Sequence, residues 1–216
     1  MYKVEYEDLS QRVHKLLKEM ILHGELVSGQ KLAQDELANR LGVSRTPLLS
    51  AFSKLEREML VETIPRKGTF VRTYTRDQLL DIYDIRLRLE TLGIRNATER
   101  GTSEEADELD RLNDEYEEII GSSDDGLIKE QDYRFHTHLM KMSRNDFLRS
   151  IISSNNIILI ANVQGLLKDP LESLAQHRGI VKALRSGDPA AAEEEMYHHI
   201  FTSRVKLAQA AGIVHE

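Results

Sequence analysis

Carboxylate and imidazole side chains recur on the inward faces of three predicted helices. Asp132 and His136 lie four residues apart in "DYRFH", so they share one face of a helix, about one turn apart. His177 falls within the apolar stripe of a later helix, and His199 lies at the edge of the stripe of the last one. A carboxylate with neutral imidazoles is a suitable ligand set for a divalent metal ion such as Zn²⁺, Ni²⁺ or Mn²⁺.

A purely structural role for these four side chains is the alternative to metal binding. A single histidine on an apolar face is more often a hydrogen-bonded core residue than a ligand. The Asp–His pair could be a buried hydrogen bond or the edge of a solvated face. His138 and His198 face away from the stripes, so we leave them out of the set. Helical phase alone does not establish that the three helices bring the four side chains together.

Three further polar residues are candidates for binding a small ligand beside such a site. Arg86 falls on the inner face of the helix predicted over 76–99. Its guanidinium could bind a carboxylate as a fork, or it could pair with a charge at the edge of the core. Asn155 and Asn162 are seven residues apart and could add polar contacts from the helix predicted over 145–167. Polar residues on a long helix are usually solvated, which is the alternative for both asparagines.

The elements that must position these residues are almost all helices. The C-terminal two-thirds shows helical periodicity only, with predicted ranges 76–99, 103–120, 124–142, 145–167, 171–186 and 189–211. In the N-terminal third, three helices precede two short β-prone pieces around "PRKG", whose Pro and Gly signal a turn. We therefore predict a mainly α fold, with a winged helix-turn-helix domain over 1–75 and an antiparallel all-helical bundle of about six helices over 76–216.

Composition excludes several classes of protein. The 216 residues contain no cysteine, which rules out disulfides and thiolate metal sites. No apolar run is long enough to span a bilayer and the polar N-terminus does not look like a signal peptide, so we expect a cytoplasmic protein without a membrane partner. The net charge of −7 is uneven: residues 1–75 hold 12 Lys and Arg against 10 Asp and Glu, and residues 76–216 hold 17 against 26. This asymmetry indicates two domains with different partners.

Polar and basic residues lie where a winged helix-turn-helix domain contacts DNA. The tight link at Gly42-Val43 fits the turn, and the helix after it would enter the major groove with its N-terminal residues against phosphates and base edges. The basic hairpin tip could reach the DNA backbone or the minor groove. A small helical lobe with solvated basic residues is the alternative. The predicted DNA contacts are Ser44, Arg45, Thr46, Arg66, Lys67 and Gly68.

The N-terminal third also resembles a known DNA-binding domain. The segments "SGQKLAQDELANRLGVSRTP" and "LEREMLVETIPRKGTFV" are similar to the DNA-binding domain of the GntR family of bacterial transcriptional regulators, over about residues 9–73. Leu49 stands where an arginine ordinarily contacts DNA, Met59 where glycine is usual before the wing, and Ala33 where a polar capping residue is common. A base-contacting arginine contributes about 1–3 kcal/mol of discrimination, so Leu49 bears on operator sequence and affinity.

The helical two-thirds resembles the FCD effector domain of the FadR-like branch of that family, over about residues 76–211. Its marks occur in order: "RLRLE", "DYRFHTHLMKMSRN", "QHRGIVKALRSGD" and "MYHHI". In metal-binding members, the Asp and His of D-x-x-x-H and two later histidines coordinate a divalent cation. The resemblance therefore implies Asp132, His136, His177 and His199 as ligands, a small organic acid as effector and a homodimer.

These observations favour a regulator over an enzyme. We predict a ligand-responsive repressor that binds a double-stranded DNA operator and senses a small organic acid through a metal-containing pocket. One alternative is a metal-dependent hydrolase acting in that pocket, because such a ligand set can leave a position open for water. Another is a sensor of the metal ion itself. No additional general base is evident at useful spacing, and an enzyme leaves the winged helix unexplained.

Overall fold

The computed structural model describes residues 9–122, 124–165 and 168–210. The chain divides into two compact units, Met1–Thr73 and Tyr74–Glu216, whereas the sequence predicts the boundary after residue 75. Within the described residues the fold comprises ten helices and one two-stranded sheet, which confirms the prediction of a mainly α protein. None of the helices described is both long and apolar enough to cross a membrane.

The N-terminal unit has three helices followed by a β-hairpin. Its elements are α1 (Leu9–Leu22), α2 (Gln34–Leu41), α3 (Arg45–Arg57), β1 (Val61–Ile64) and β2 (Gly68–Val71). The two strands pair antiparallel, and α1 packs against α3. Leu17, Leu48 and Leu55 on these two helices are fully buried and form the centre of the small core. The order and packing are those of the predicted winged helix-turn-helix.

Left-handed backbone positions define the two tight turns of this unit. The helix α2 ends at Gly42, whose φ of 65° lets the chain turn at once towards α3. In the hairpin, the Lys67 N–H donates to the Ile64 carbonyl across Pro65 and Arg66. Arg66 has a φ of 64°, as the third residue of such a turn can require. The turn leaves the side chains of Arg66 and Lys67 exposed at the hairpin tip.

Met59 has a φ of 62° directly after α3, at the position where the related domains usually have glycine. A residue with a Cβ atom in this conformation costs about 1–2 kcal/mol, whereas glycine loses about 0.5–1 kcal/mol of chain entropy on folding. We expect Met59→Gly to raise the free energy of unfolding by about 0.5–1 kcal/mol in urea denaturation. Met59→Ala keeps the Cβ atom and is the control. Equal stability of the two variants would contradict the explanation by backbone strain.

The C-terminal unit is a bundle of helices. Its described elements are α4 (Arg76–Arg100), α5 (Ser103–Ile120), α6 (Asp125–Met142), α7 (Asp146–Ser154), α8 (Ile157–Gly165), α9 (Pro170–Arg185) and α10 (Pro189–Gln209). The helix α10 lies along α4, α6 packs against both α4 and α5, and α9 contacts α5 and α10. The three helices that carry the predicted ligands, α6, α9 and α10, therefore belong to one core.

Each ligand-bearing helix begins at an aspartate cap. Asp124, Asp169 and Asp188 accept backbone N–H groups in the first turns of α6, α9 and α10. Pro170 and Pro189 occupy the first positions of α9 and α10, where no intrahelical N–H bond is needed. These local signals fix where the helices start, and helical periodicity then fixes which side chains point inwards.

The single helix predicted over 145–167 is wrong, because the chain forms two helices there. Asn156 separates α7 from α8 with a left-handed φ of 48°, a conformation that asparagine tolerates better than most residues. Residues 157–161 after it are buried without interruption, so α8 is a core helix rather than an amphipathic continuation of α7. The described bundle consequently has seven helices, compared with about six predicted.

Candidate metal centre

The structure brings the four predicted metal ligands together inside the C-terminal bundle. Asp132 and His136 come from α6, His177 from α9 and His199 from α10, and one ligand atom of each lies within 4.8 Å of all the others. All four residues are at most 3% exposed. This buried cluster therefore differs from the exposed acidic groups that often gather on a protein surface without binding a cation.

The distances between ligand atoms fit a metal ion. His199 Nε2 lies 3.2 Å from His136 Nε2, which lies 3.8 Å from Asp132 Oδ2, and His177 Nε2 lies 3.5 Å from Asp132 Oδ1. Two ligands at about 2.1 Å from a tetrahedral ion are about 3.4 Å apart. The side chains are thus spaced as a divalent ion requires, with small adjustments.

The two histidines on α9 and α10 are held in the neutral form that binds metal. Burial lowers the pKa of His177 and of His199 well below the usual value, and neighbouring positive charges add to this effect. Both ring nitrogens of His177 are buried without a hydrogen-bond partner among the described residues. Its ring instead stacks on Phe135, with 3.9 Å between ring centroids. A metal ion would give one of these nitrogens a partner.

Glu90 on α4 orients His136 but was not predicted as a site residue. His136 Nδ1 lies 2.5 Å from Glu90 Oε2, so a proton on Nδ1 is accepted by the carboxylate and the lone pair of Nε2 faces the other ligands. Burial opposes the ionisation of Glu90, but the charge of Arg86 and the hydrogen bonds from Arg86 and His136 outweigh it and lower the pKa of Glu90 to about 2. The available signal was its position four residues after Arg86, on the same inner face.

Arg86 is buried and paired with Glu90. Its Nε lies 2.5 Å from Glu90 Oε1, and its guanidinium carbon lies 5.4 Å from the centre of the Tyr83 ring. The charge-paired alternative considered for Arg86 therefore describes its contacts in this structure. The pair still places a guanidinium beside the four ligands, since Glu90 contacts His136 directly.

Lys168 is a second site residue that sequence reasoning missed. It precedes α9, is only 6% exposed, and its Nζ lies 2.8 Å from His199 Nδ1. The same Nζ donates to Gln176 Oε1 at 2.7 Å and to the His199 carbonyl at 2.9 Å. Burial lowers the pKa of Lys168 to about 7, although the charge of Asp132 opposes this shift. Helical phase could not find Lys168, because it lies outside any helix.

The two asparagines predicted as pocket contacts have different environments. Asn162 is buried, its Nδ2 donates to the Lys129 carbonyl at 3.3 Å, and its Oδ1 has no partner among the described residues. Asn155 is exposed and donates to the Ile151 carbonyl of its own helix at 3.0 Å. The solvated alternative describes Asn155 in this structure, because α7 ends at Ser154 and does not continue to Asn162.

Other buried polar groups and two excluded histidines complete the description of the bundle. Both amide atoms of Asn113 on α5 are buried without a partner in the described part of the chain. Tyr116, one turn later, lies with its ring centroid 5.9 Å from that of His177. His138 bonds instead to the Glu105 carbonyl, and His198 is exposed, so neither belongs to the ligand cluster.

The predicted DNA contacts lie on exposed positions of the N-terminal unit. Ser44, Arg45 and Thr46 are exposed at the start of α3, although the Ser44 side chain makes no capping bond. Arg45 Nε lies 2.6 Å from Asp35 Oδ1, and both side chains are about two-thirds exposed, at 67% and 68%. Gly68 is half-buried with a φ of 112°, so its contribution is to the shape of the hairpin.

Comparison with known families identifies both units. Residues 81–202 match the FCD domain, and residues 9–71 match the domain described as "Bacterial regulatory proteins, gntR family". This chain belongs to the GntR family, in the group that carries an FCD domain. As a GntR protein it is a DNA-binding transcriptional regulator, and the hydrolase alternative is set aside because the family and its relatives are regulators rather than enzymes.

Curated relatives and solved structures agree with this assignment. The GntR regulator is 28% identical over 188 residues to the HTH-type transcriptional regulator YdhC of Bacillus subtilis (strain 168), covering 85% of this chain and 84% of that protein. It is 26% identical over 208 residues to the HTH-type transcriptional repressor GlaR of Escherichia coli (strain K12), covering 91% and 94%. The structure of E. coli McbR/YncC shares the fold, with a TM-score of 0.83, 22% identity, and coverage of 94% and 99%.

Proposed function

We propose that this GntR regulator is a repressor that senses a small organic acid through a divalent metal ion. The metal, Zn²⁺, Ni²⁺ or Mn²⁺, would be held by Asp132, His136, His177 and His199. The effector would bind beside the ion in the C-terminal bundle, and its binding would change the affinity of a homodimer for a double-stranded DNA operator. The relative GlaR is named a repressor, which supports that direction of regulation.

The environment of His177 is the observation that carries the metal proposal. A neutral imidazole has one donor and one acceptor, and leaving buried polar atoms unpaired costs about 1–3 kcal/mol each. Both nitrogens of His177 lack partners among the described residues, yet Asp132 and His199 stand beside them. A core histidine kept for packing would bond to a neighbouring carbonyl or hydroxyl. A metal ligand is the role that makes this arrangement favourable.

The balance of buried charge supports an anionic effector. Arg86 and Glu90 neutralise one another, which leaves the carboxylate of Asp132 as the only anion among the four candidate ligands. A divalent cation would then leave at least one unit of positive charge in a buried site, where uncompensated charge is costly. A small carboxylate that binds the ion would compensate part of this charge.

Unpaired polar atoms around the bundle core favour an effector that is small and polar. The amide of Asn113 and the Oδ1 atom of Asn162 are buried without partners in the described residues. An organic acid with further hydroxyl or carbonyl groups could satisfy such atoms, whereas a long apolar acid could not.

Thermal unfolding with a panel of small organic acids tests this function. An acid that binds beside the metal should raise the melting temperature of the metal-loaded protein. The same acid should also shift the affinity of that protein for operator DNA. Chelator-treated protein should show neither change. A sensor of the metal ion alone would show DNA affinity that follows metal concentration and ignores every acid. That outcome would leave the metal centre in place and contradict the effector.

Exposed apolar side chains support a homodimer. Phe147 and Ile151 lie one turn apart on α7 and are 86% and 49% exposed, and Ile85 and Leu92 on α4 are also exposed. A second copy of the chain would cover them, and a symmetric pair also suits two operator half-sites. Light scattering should give twice the mass of one chain, whereas a monomer at working concentration would contradict the dimer.

Leu49 offers a gain-of-affinity experiment on the DNA-binding side. It is 42% exposed one turn after Arg45 on α3, at the position where the family ordinarily has an arginine. We expect Leu49→Arg to strengthen DNA binding, and each added phosphate contact should steepen the logarithmic salt dependence by about 0.9. Leu49→Gln, which adds no charge, is the matched control. Unchanged salt dependence and affinity for Leu49→Arg would place this side chain away from DNA.

A further inference from the structure

Four buried side chains form one line of polar contacts through the candidate metal centre. Lys168 Nζ lies 2.8 Å from His199 Nδ1, His199 Nε2 lies 3.2 Å from His136 Nε2, and His136 Nδ1 lies 2.5 Å from Glu90 Oε2. All four residues are less than a tenth exposed. The line has a lysine at one end and a carboxylate at the other.

The chemistry of the two ends sets the direction of hydrogen bonding when Lys168 is an ammonium. A lysine ammonium only donates, and an ionised carboxylate only accepts. The ammonium of Lys168 therefore donates to His199 Nδ1, which places the proton of neutral His199 on Nε2. That proton is donated to His136 Nε2, and His136 Nδ1 donates to Glu90. Each of these contacts then has one hydrogen and one acceptor.

This arrangement conflicts with metal binding at one atom, His199 Nε2. A metal ion needs the lone pair of His199 Nε2, so the proton of the neutral ring must then lie on Nδ1. A proton on Nδ1 could be accepted by Gln176 Oε1, which lies 3.0 Å away. The ammonium of Lys168, a donor only, points at the same Nδ1 atom. It must turn away with its protons, while the His199 proton moves from Nε2 to Nδ1 by exchange with water.

We propose that Lys168 competes with the metal ion by holding His199 in the tautomer that cannot bind metal, and that Gln176 stabilises the tautomer that can. This inference rests on the metal centre of the proposed function. Lys168 is a positioning residue, since it acts through His199. Its removal should therefore strengthen metal binding, which is the opposite of what loss of a supporting contact normally does.

Two variants separate these roles by the sign of their effect. Lys168→Met removes the donor and keeps a long side chain in the buried space, and Gln176→Leu removes the acceptor. Zn²⁺ affinity is measured by competition with a chelator, at a pH where Lys168 is an ammonium. We expect Lys168→Met to bind Zn²⁺ about 10- to 100-fold more tightly, because a competing hydrogen bond from a charged group is removed. We expect Gln176→Leu to bind Zn²⁺ about 10- to 100-fold more weakly, because a supporting acceptor is lost.

The possible failures are distinguishable. Zn²⁺ binding by Lys168→Met that is equal to or weaker than wild type overturns the competition. Absence of Zn²⁺ binding in the wild type and in both variants overturns the metal centre itself, and the competition with it.

Nitrogen-15 NMR of the histidine rings tests the tautomer in chelator-treated protein, where metal binding plays no part. We expect His199 to carry its proton on Nε2 in the wild type, and a smaller fraction of the Nε2-protonated ring in Lys168→Met. A merely structural role for Lys168 would leave the tautomer unchanged. A wild-type His199 protonated on Nδ1 overturns the competition whatever the metal affinities, and this measurement needs no variant to fold.

Discussion

Replacing both His177 and His199 with alanine is expected to abolish metal retention while leaving a folded helical protein. The double variant keeps only Asp132 and His136, two ligands on one helix, which is too few for a stable site in which four are usual. Metal content should fall from about one ion per chain to background in elemental analysis. The fold should persist because the buried apolar residues of α6, α9 and α10 still pack together, although the His177–Phe135 stacking is lost, and circular dichroism checks this.

The chain provides a matched control for this experiment. His138 and His198 lie on two of the same helices, but one bonds to the Glu105 carbonyl and the other is exposed. Replacing His138 and His198 with alanine also removes two imidazoles from the chain. This control should leave the metal content unchanged. Undiminished metal in the His177→Ala/His199→Ala protein would contradict the assignment of the ligands. Loss of metal in the control protein alone would place the site elsewhere.

Replacing Arg45 and Arg66 with alanine is expected to weaken operator binding strongly. Arg45 begins the helix that would enter the major groove, and Arg66 lies at the exposed hairpin tip. The side chains of Arg45 and Asp35 are both exposed, so the ion pair between them is weak. The Arg45 guanidinium therefore remains available to bind DNA. The homodimer would lose two phosphate contacts in each protomer, which should lower affinity about 30-fold for each protomer near physiological salt and reduce the logarithmic salt dependence by about 3.6 in total.

Gel-shift titrations at several salt concentrations, with the promoter of the protein's own operon, measure both quantities. Arg111→Ala is the control, because it removes an exposed arginine from α5 in the other unit of the chain. It should change neither the affinity nor the salt dependence. Operator binding by the Arg45→Ala/Arg66→Ala protein with wild-type affinity and salt dependence would show that DNA contacts a different surface.

Helical periodicity predicted the four candidate ligands because the three helices that carry them are regular. Asp132 and His136 are separated by about one turn, and the position of His177 within an apolar stripe indicates the core directly. His138 and His198 were excluded by the same phase argument. What periodicity could not provide was the convergence of α6, α9 and α10, which depends on how they pack against α4 and α5.

The supporting residues escaped prediction for a physical reason. Glu90 and Lys168 act on ligands that are distant in sequence, so their roles depend on which helix faces which. Lys168 also precedes α9 and has no helical phase. The single helix expected through Asn155 and Asn162 was wrong because one left-handed residue, Asn156, ends the periodicity of α7. Local backbone breaks and contacts between distant segments are therefore where sequence reasoning was weakest.

Anomalous X-ray diffraction from crystals of protein purified without chelator tests the metal centre most directly. We expect one anomalous peak per chain, between the Asp132 carboxylate and the Nε2 atoms of His136, His177 and His199, at about 2.0–2.2 Å from each. The absorption edge at which the peak appears would identify the metal. Ordered density for these four side chains with no anomalous peak between them, after growth and purification with Zn²⁺, Ni²⁺ and Mn²⁺ supplied, would contradict the proposed site.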